Sequence, residues 1–171
     1  DTVSLADWQF RPVPDGPGLV VYAGQGAKTL RFEAERGNAR VTLEYRFNPD
    51  EYRFGVQGSI TGLGSGGAVL LIDLADGLRS VQKDTVDDYR HYSVVTKASK
   101  SERTDFSKLD PGERMLFDGP FEWVGVKSKY FFVSALAFDA GQPRFGGAIG
   151  VGGPRTGKAG TRPRRAITVP R

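Results

Sequence analysis

The sequence contains a phosphate-loop spacing within residues 150–165, GVGGPRTGKAGTRPRR, where Gly152, Gly157 and Lys158 occupy the matching positions. A loop of this kind needs a hydroxyl after the lysine for Mg²⁺ and a helix whose first amides face the phosphates. Ala159 stands where the hydroxyl should be, and Pro163 stops a helix from propagating. We therefore predict that these residues bind no nucleotide.

A second glycine motif, GLGSGG at residues 62–67, has the spacing of a dinucleotide-binding fingerprint. That fingerprint belongs to a strand–helix–strand unit, but the segment that follows it here is AVLLIDL, an apolar run that is typical of a strand. We interpret these glycines as a connection between two strands. No nucleotide cofactor is expected.

The residue inventory also disfavours nucleophilic and metal-assisted catalysis. His91 is the single histidine, the chain has no cysteine, and no serine lies in a G-x-S-x-G turn. One histidine does not make a zinc site. The carboxylate pairs Asp87/Asp88 and Asp73/Asp76 lie beside turn signals, where aspartate commonly accepts hydrogen bonds from backbone amides. We predict no enzyme, no cofactor and no metal site.

Alternating apolar and polar residues indicate strands that are buried on one side. Residues 28–47 keep a period of two on either side of a Gly-Asn turn, which predicts a β-hairpin. Further strands are predicted at 19–23, 52–60, 68–74, 90–97, 123–126 and 129–138, and the last is apolar on both faces and so is expected at the centre of the core. Residues 75–88 offer weak helical material, and residues 98–114 are predicted to form a long exposed connection. The predicted fold class is all-β, a large twisted antiparallel β-sandwich of two sheets with little helix.

Positive charge is concentrated at the C-terminal end. Residues 154–171 carry six basic side chains and no acid, whereas the other 153 residues carry 18 basic and 20 acidic groups. The formal net charge of +4 therefore comes from this end. We predict one sandwich domain over residues 1–153 and a flexible basic tail over 154–171, whose arginines are candidates for contact with anionic lipid.

The most informative stretch is FDGPFEWVGVKSKYFFVSALAFD, residues 117–139. Asp118-Gly119 predicts a turn, and Trp123 and Tyr130 are expected to be large core anchors whose polar ends reach the surface. The run WVGVKSKYF resembles a signature of the large periplasmic domain of the bacterial membrane insertase family YidC, and its residues are Trp123, Gly125, Lys127, Lys129, Tyr130 and Phe131. Residues 41–60, 69–78 and 108–123 are similar to other parts of that domain in the same order, so the resemblance covers roughly residues 20–140.

The resemblance implies a non-catalytic β-sandwich at the periplasmic face of the bacterial inner membrane, in a protein that inserts and folds membrane proteins. It implies an accessory or docking role, with Sec translocon components and nascent membrane proteins as partners and with no nucleic acid. The mixed charges of the polar stretch 79–107 favour transient contact with another protein, and the residues predicted for that surface are Arg79, Lys83, Asp87, Asp88, Lys97, Lys100 and Arg103. The alternative is a carbohydrate-binding or aldose epimerase-like sandwich, in which Trp8, Tyr52 or Trp123 would stack on sugar rings.

Overall fold

The computed structural model describes residues 3–14, 16, 18–64, 69–74, 78, 83–137, 145–152 and 167–170. Within these residues the secondary structure is almost entirely antiparallel β-sheet, which confirms the predicted fold class. The chain folds as two compact units, Asp1–Gly67 and Ala68–Arg171. Among the described residues, no helix has the length and hydropathy needed to cross a bilayer.

The first unit is a four-stranded antiparallel sheet in the order β1-β2-β3-β4. Its strands are β1 (Arg11–Val13), β2 (Lys28–Arg36), β3 (Ala39–Phe47) and β4 (Phe54–Thr61), and a 3₁₀ turn at Leu5–Asp7 precedes them. β2 and β3 form the predicted hairpin in continuous register. Gly37 in its turn has a φ of 61°, which glycine adopts without a steric penalty.

The two faces of this sheet differ in polarity because the period of two is kept across the register. One face carries apolar and aromatic side chains from all four strands, namely Pro12, Leu30, Phe32, Ala34, Val41, Leu43, Tyr45, Phe47, Phe54, Val56 and Ile60. The other face carries ion pairs such as Arg31 with Glu33 and Arg40 with Glu35. Exposed pairs of this kind contribute at most about 1 kcal/mol each, so apolar packing is the main force that stabilises the sheet.

The second unit contains two four-stranded antiparallel sheets and, among its described residues, one α-helix, α1 (Thr85–His91). One sheet has the order β10-β9-β6-β7 and consists of β6 (Ser93–Lys97), β7 (Ser101–Asp105), β9 (Trp123–Lys127) and β10 (Phe132–Leu136). The other has the order β5-β12-β11-β8 and consists of β5 (Leu71–Asp73), β8 (Arg114–Phe121), β11 (Phe145–Val151) and β12 (Ile167–Pro170).

A hydrophobic cluster joins the two sheets of the second unit. Val94, Val124 and Val126 contribute to it from the first sheet, and Phe145 and Ala148 from the second, each at most 2% exposed. Because the inner faces of both sheets meet in one cluster, the second unit is a β-sandwich.

The prediction that residues 98–114 form an exposed connection is wrong. They contain β7 and a 3₁₀ turn at Phe106–Lys108, and Phe106 and Leu109 are each 2% exposed in the core cluster. Isolated apolar side chains in a polar stretch can anchor it to the core, but they show no periodicity that would reveal this role.

Three other predicted elements differ from the structure. Residues 19–23 form no strand, and the segment predicted as a strand at 90–97 begins inside α1, so that the strand starts at Ser93. The turn predicted at Asp118-Gly119 lies within β8. A Cβ on Gly119 would come within 2.5 Å of the Phe145 carbonyl oxygen, so this glycine permits a close approach of β11 and does not mark a turn.

β10 was predicted at the centre of the core but is an edge strand of its sheet. Phe132, Val133 and Leu136 are 48%, 47% and 45% exposed. A run that is apolar on both faces fits a central strand, but it fits equally well a strand whose outer face and edge are left open.

β12 lies inside the segment predicted to be a flexible tail. Thr168 pairs with Ile149 of β11 and with Asp73 of β5. The tail interpretation therefore does not hold for residues 167–170. The boundary at residue 153 and the rest of the tail lie outside the described residues and stay predictions.

Candidate interaction surface

The signature residues form the β9–β10 hairpin. Five residue pairs join the two strands, from Lys127 opposite Phe132 to Trp123 opposite Leu136. The Ser128 amide donates to the Phe131 carbonyl at 2.8 Å, and the Phe131 amide donates to Ser128 Oγ at 3.0 Å, which closes a tight turn. Ser128 is buried in this turn, so the sequence Lys-Ser-Lys-Tyr-Phe is a turn sequence whose serine is structural.

Gly125 provides the space in which Phe132 packs. A Cβ at Gly125 would lie 2.6 Å from the Phe132 ring and 2.8 Å from the Val133 carbonyl oxygen. The Phe132 ring also meets Trp123 edge to face, with 5.4 Å between ring centroids. The small residue between two larger ones in the signature therefore lets the aromatic side chain of β10 lie back over β9.

The first sheet of the sandwich presents a mixed face on the side away from the core cluster, which we call the hairpin face. Register and alternation assign to it Phe132, Ser134 and Leu136 of β10, Trp123, Gly125 and Lys127 of β9, Ser93, Val95 and Lys97 of β6, and Ser101, Arg103 and Asp105 of β7. Lys97 lies directly opposite Trp123 and Arg103 directly opposite Val95. The hairpin face thus combines half-exposed apolar side chains with three cations and one carboxylate, that of Asp105.

The tip of the hairpin is tied to α1 by an ion pair. Lys129 Nζ lies 2.7 Å from Asp87 Oδ2 and 5.3 Å from the centroid of the Tyr130 ring. The hydrogen bond from Lys129 lowers the pKa of Asp87, and the same bond, followed by one with Tyr130, raises the pKa of Lys129. Both groups are therefore charged over the neutral range, and the pair joins a signature residue to one that was predicted independently for the partner surface.

The predicted surface cations have local partners. Lys97 Nζ donates to the carbonyl oxygens of Ala98 and Ser99 at 2.9 and 2.8 Å. Lys100 pairs with Glu102 at 3.3 Å and Arg103 with Asp105 at 2.7 Å. These contacts order Lys97 and Arg103 on the hairpin face and Lys100 in the turn between β6 and β7 beside it.

Several predicted residues do not belong to this surface. Asp88 is buried, at 3% exposure, and so cannot contribute to a surface. Lys83 is exposed and precedes α1. Tyr130 is 61% exposed and Phe131 is 56% exposed, so the interpretation of Tyr130 as a core anchor is wrong. The reason is the tight turn, which places both rings at its tip. Arg79 lies outside the described residues.

The glycine motifs have packing roles in the described part of the chain. A Cβ on Gly152 would come within 2.0 Å of the Asp110 carbonyl oxygen, and its amide donates to the Glu113 carbonyl at 2.8 Å. Gly62 has a φ of 81°, and a Cβ there would come within 1.9 Å of the Asn38 carbonyl oxygen. Residues 153–158 and 65–67 lie outside the described residues, so the prediction of no nucleotide binding is untested there.

The described residues offer few groups for catalysis. Within these ranges no three His, Asp or Glu side chains cluster closely enough to hold a metal ion. His91 Nδ1 lies 2.8 Å from the Asp87 carbonyl oxygen, which its N–H can reach as a donor, and 3.8 Å from Asp87 Oδ1. The contact between the His91 ring and the Asp87 carbonyl oxygen therefore stabilises the last turn of α1, next to the hairpin tip.

A feature that the sequence pattern did not reveal is an aromatic row on the apolar face of the first unit. Phe32 meets Tyr45 at 5.9 Å, Tyr45 meets Phe54 at 6.3 Å, and Phe47 meets Phe54 at 5.5 Å between ring centroids. The alternation of apolar and polar residues predicted the apolar face. The unbroken row of aromatic rings on it depends on the register between β3 and β4, which the alternation does not specify. Of the aromatics predicted for sugar stacking, Tyr52 is fully exposed, whereas Trp8 and Trp123 are half-buried.

Comparisons with known proteins agree with the resemblance of the signature residues. The family model described as the YidC periplasmic domain matches residues 9–170, a wider range than the resemblance at residues 20–140. The "Membrane protein insertase YidC" of Chloroherpeton thalassium is 24% identical over 139 residues, which cover 79% of this chain and 24% of that protein. The chain therefore spans about a quarter of the length of that relative. No solved structure gives a significant match.

Proposed function

The chain belongs to the YidC periplasmic domain family, and we propose that it is the non-catalytic docking part of a membrane protein insertase, at the periplasmic face of the bacterial inner membrane. In this proposal the domain contacts other proteins and leaves insertion itself to the rest of the insertase. The described residues support the proposal because they provide a surface on which half-exposed apolar side chains lie beside charged ones.

The observation that carries the proposal is the composition of the hairpin face. Phe132 and Leu136 are about half exposed there, and Lys127, Lys97 and Arg103 lie on the same face. Aromatic and arginine side chains are enriched where proteins meet, and charges at the rim steer encounter more than they add affinity. A face of this kind suits a transient partner.

The partners we propose are components of the Sec translocon and nascent membrane proteins. An emerging membrane segment is apolar with cationic or polar flanks, so it can use the apolar strip at Phe132, Trp123 and Leu136. A translocon component with acidic loops can use Lys97 and Arg103. The arginines of residues 154–171 would separately add up to roughly 1 kcal/mol each toward anionic lipid near the surface.

Charge reversal in the full-length insertase tests this proposal. We expect Lys97→Glu, Lys100→Glu and Arg103→Glu together to reduce crosslinking to protein partners, with a weaker effect at high salt because exposed charges are screened. The matched control reverses Arg31 and Arg40, which are also exposed and ion-paired but lie on the first unit. If crosslinking to partners persists after the charge reversal but is lost when residues 154–171 are removed, the partners bind the tail and not the hairpin face.

A further inference from the structure

The edge strands of the three sheets differ in how they are protected against pairing with another strand. Natural edge strands carry charges, prolines, bulges or very few residues, since an open edge presents a row of unpaired backbone groups. Four edges here follow that rule: β1 and β5 have three residues each, β7 has Glu102, Arg103 and Asp105, and β8 has Arg114, Asp118 and Pro120 with a register shift opposite it.

β4 follows none of these protective patterns. Its eight residues, FGVQGSIT, include no charge and no proline, and its register with β3 is continuous from Arg40 opposite Thr61 to Phe47 opposite Phe54. All eight residues are exposed, and β4 has no second strand partner among the described residues. β10 is neutral too, but it is shorter, with five residues.

The exposed side chains of β4 are already ordered for a contact. Phe54 is 55% exposed but is held by the rings of Phe47 and Tyr45, and Val56 and Ile60 are 52% and 38% exposed on the same face. Ordering the side chains in advance lowers the entropy that binding must overcome.

We propose that β4 pairs antiparallel with β4 of a second copy of this chain, about a two-fold axis at Gln57, so that two four-stranded sheets merge into one of eight strands. This proposal goes beyond the docking role and does not depend on it. A two-fold axis perpendicular to the merged sheet keeps the apolar faces of both copies on the same side. This requires the axis to pass through a residue that lies opposite the same residue of the other copy. The candidates at the middle of the strand are Gln57 and Gly58.

Side-chain pairing selects Gln57. With Gln57 on the axis, Phe54 lies opposite Ile60 of the partner copy, and this pair forms twice, once on each side of the axis, while Val56 lies opposite Gly58, which adds no side chain. Aromatic side chains opposite β-branched ones are favourable cross-strand pairs. With Gly58 on the axis, Val56 would lie opposite Ile60, but Phe54, the largest side chain of the strand, would lie opposite Gly62, which has left the strand with a φ of 81°.

Two copies of β4 can also pair without repulsion between like charges. Because residues 54–61 carry no ionisable group, no like charges meet across the axis in either copy. One pair of eight-residue strands is small beside the roughly 1,600 Å² that a stable interface buries. We therefore expect a weak dimer that depends on concentration.

The absence of cysteine from the chain allows a direct test of the register. In the full chain, Gln57→Cys places two thiols opposite each other at the ~4.5–5.5 Å Cα separation of paired strands, within the range that a disulfide spans. Ser59→Cys is the matched control, because its partner in this register is Gly55 and the two introduced thiols lie four residues out of step. We expect disulfide-linked dimer from Gln57→Cys and little from Ser59→Cys.

Sedimentation of the same chain gives the second readout. Gln57→Lys places two cations on the axis, and we expect it to weaken self-association by up to about fivefold, since like charges opposite each other destabilise a pair. Gln25→Lys makes the same change at an exposed residue outside the strands and should leave association unchanged. A wild-type chain that stays monomeric at high concentration, equal crosslinking from both cysteine variants, or a dimer that is indifferent to Gln57→Lys would each overturn the proposal.

Discussion

The contact between Gly125 and Phe132 explains a glycine of the signature in steric terms. Any side chain at Gly125 must displace the Phe132 ring or the Val133 carbonyl. We predict that Gly125→Ala lowers the free energy of unfolding by about 1–3 kcal/mol, the usual cost of overpacking. Chemical denaturation measures this, and Gly146→Ala on β11 is the control, since nothing lies within 4 Å of a Cβ built there. Equal stability of the two variants would show that Phe132 does not pack over Gly125.

The ion pair between Lys129 and Asp87 predicts a specific dependence of stability on pH. The folded pKa of Asp87 is lowered, so its contribution is complete above its unfolded pKa of about 3.9 and is lost as pH falls through the folded value. The folded pKa of Lys129 is raised, so its contribution is complete below about pH 10.4 and is lost as pH rises through the folded value.

The stability difference between the wild type and Lys129→Met should therefore be constant between about pH 5 and pH 9 and shrink on both sides. Thermal unfolding over this range provides the measurement. Lys108→Met, at another exposed lysine, serves as the control. A difference that persists unchanged at pH 2 would mean that Lys129 acts through packing and not through Asp87.

Individual surface residues were only partly predictable from the sequence. The link between Lys129 and Asp87 spans 42 residues, so no local sequence pattern could show it. Asp88 follows Asp87 in a polar stretch and is buried, because adjacent positions on a helix point in different directions. Side-chain burial in such places is decided by tertiary packing.

The strands were predictable where apolar and polar residues alternate. β2, β3 and β4 keep a clear period of two, whereas β7 and the 3₁₀ turn after it are polar apart from Phe106 and Leu109. For β10 the prediction failed in the opposite direction, because its apolar residues predicted a central strand and it lies at the edge of its sheet. A sequence gives the hydrophobicity of a strand, but its position in the sheet depends on long-range pairing.

Phe106 should therefore be among the most important residues for the stability of the second unit. It is 2% exposed within the core cluster, so Phe106→Ala should lower the free energy of unfolding by ~3–5 kcal/mol. Phe131→Ala removes the same ring from a position that is 56% exposed and should cost less than about 1 kcal/mol. A larger loss for Phe131 than for Phe106 in denaturant titrations would contradict this assignment of the core.

This chain forms two compact units, and both lie within the match to one family domain. The family match runs through both units, from residue 9 to residue 170, and includes β12 near the C-terminal end. Residues 154–171 looked like a separate tail in the sequence because their composition is basic and rich in glycine and proline. Composition does not record that four of them pair with β11 and β5.

We propose that the hairpin face is where this domain meets other proteins. Site-specific photocrosslinking in the full-length insertase, in its native membrane, tests it most directly. A photoreactive residue at Ser134 or Val95 of the hairpin face should give adducts with Sec translocon components or nascent membrane proteins. The same residue at Thr29, on the charged face of the first unit, should give few. Adducts from Thr29 that equal those from Ser134 and Val95, or no adducts from the hairpin face, would contradict the claim.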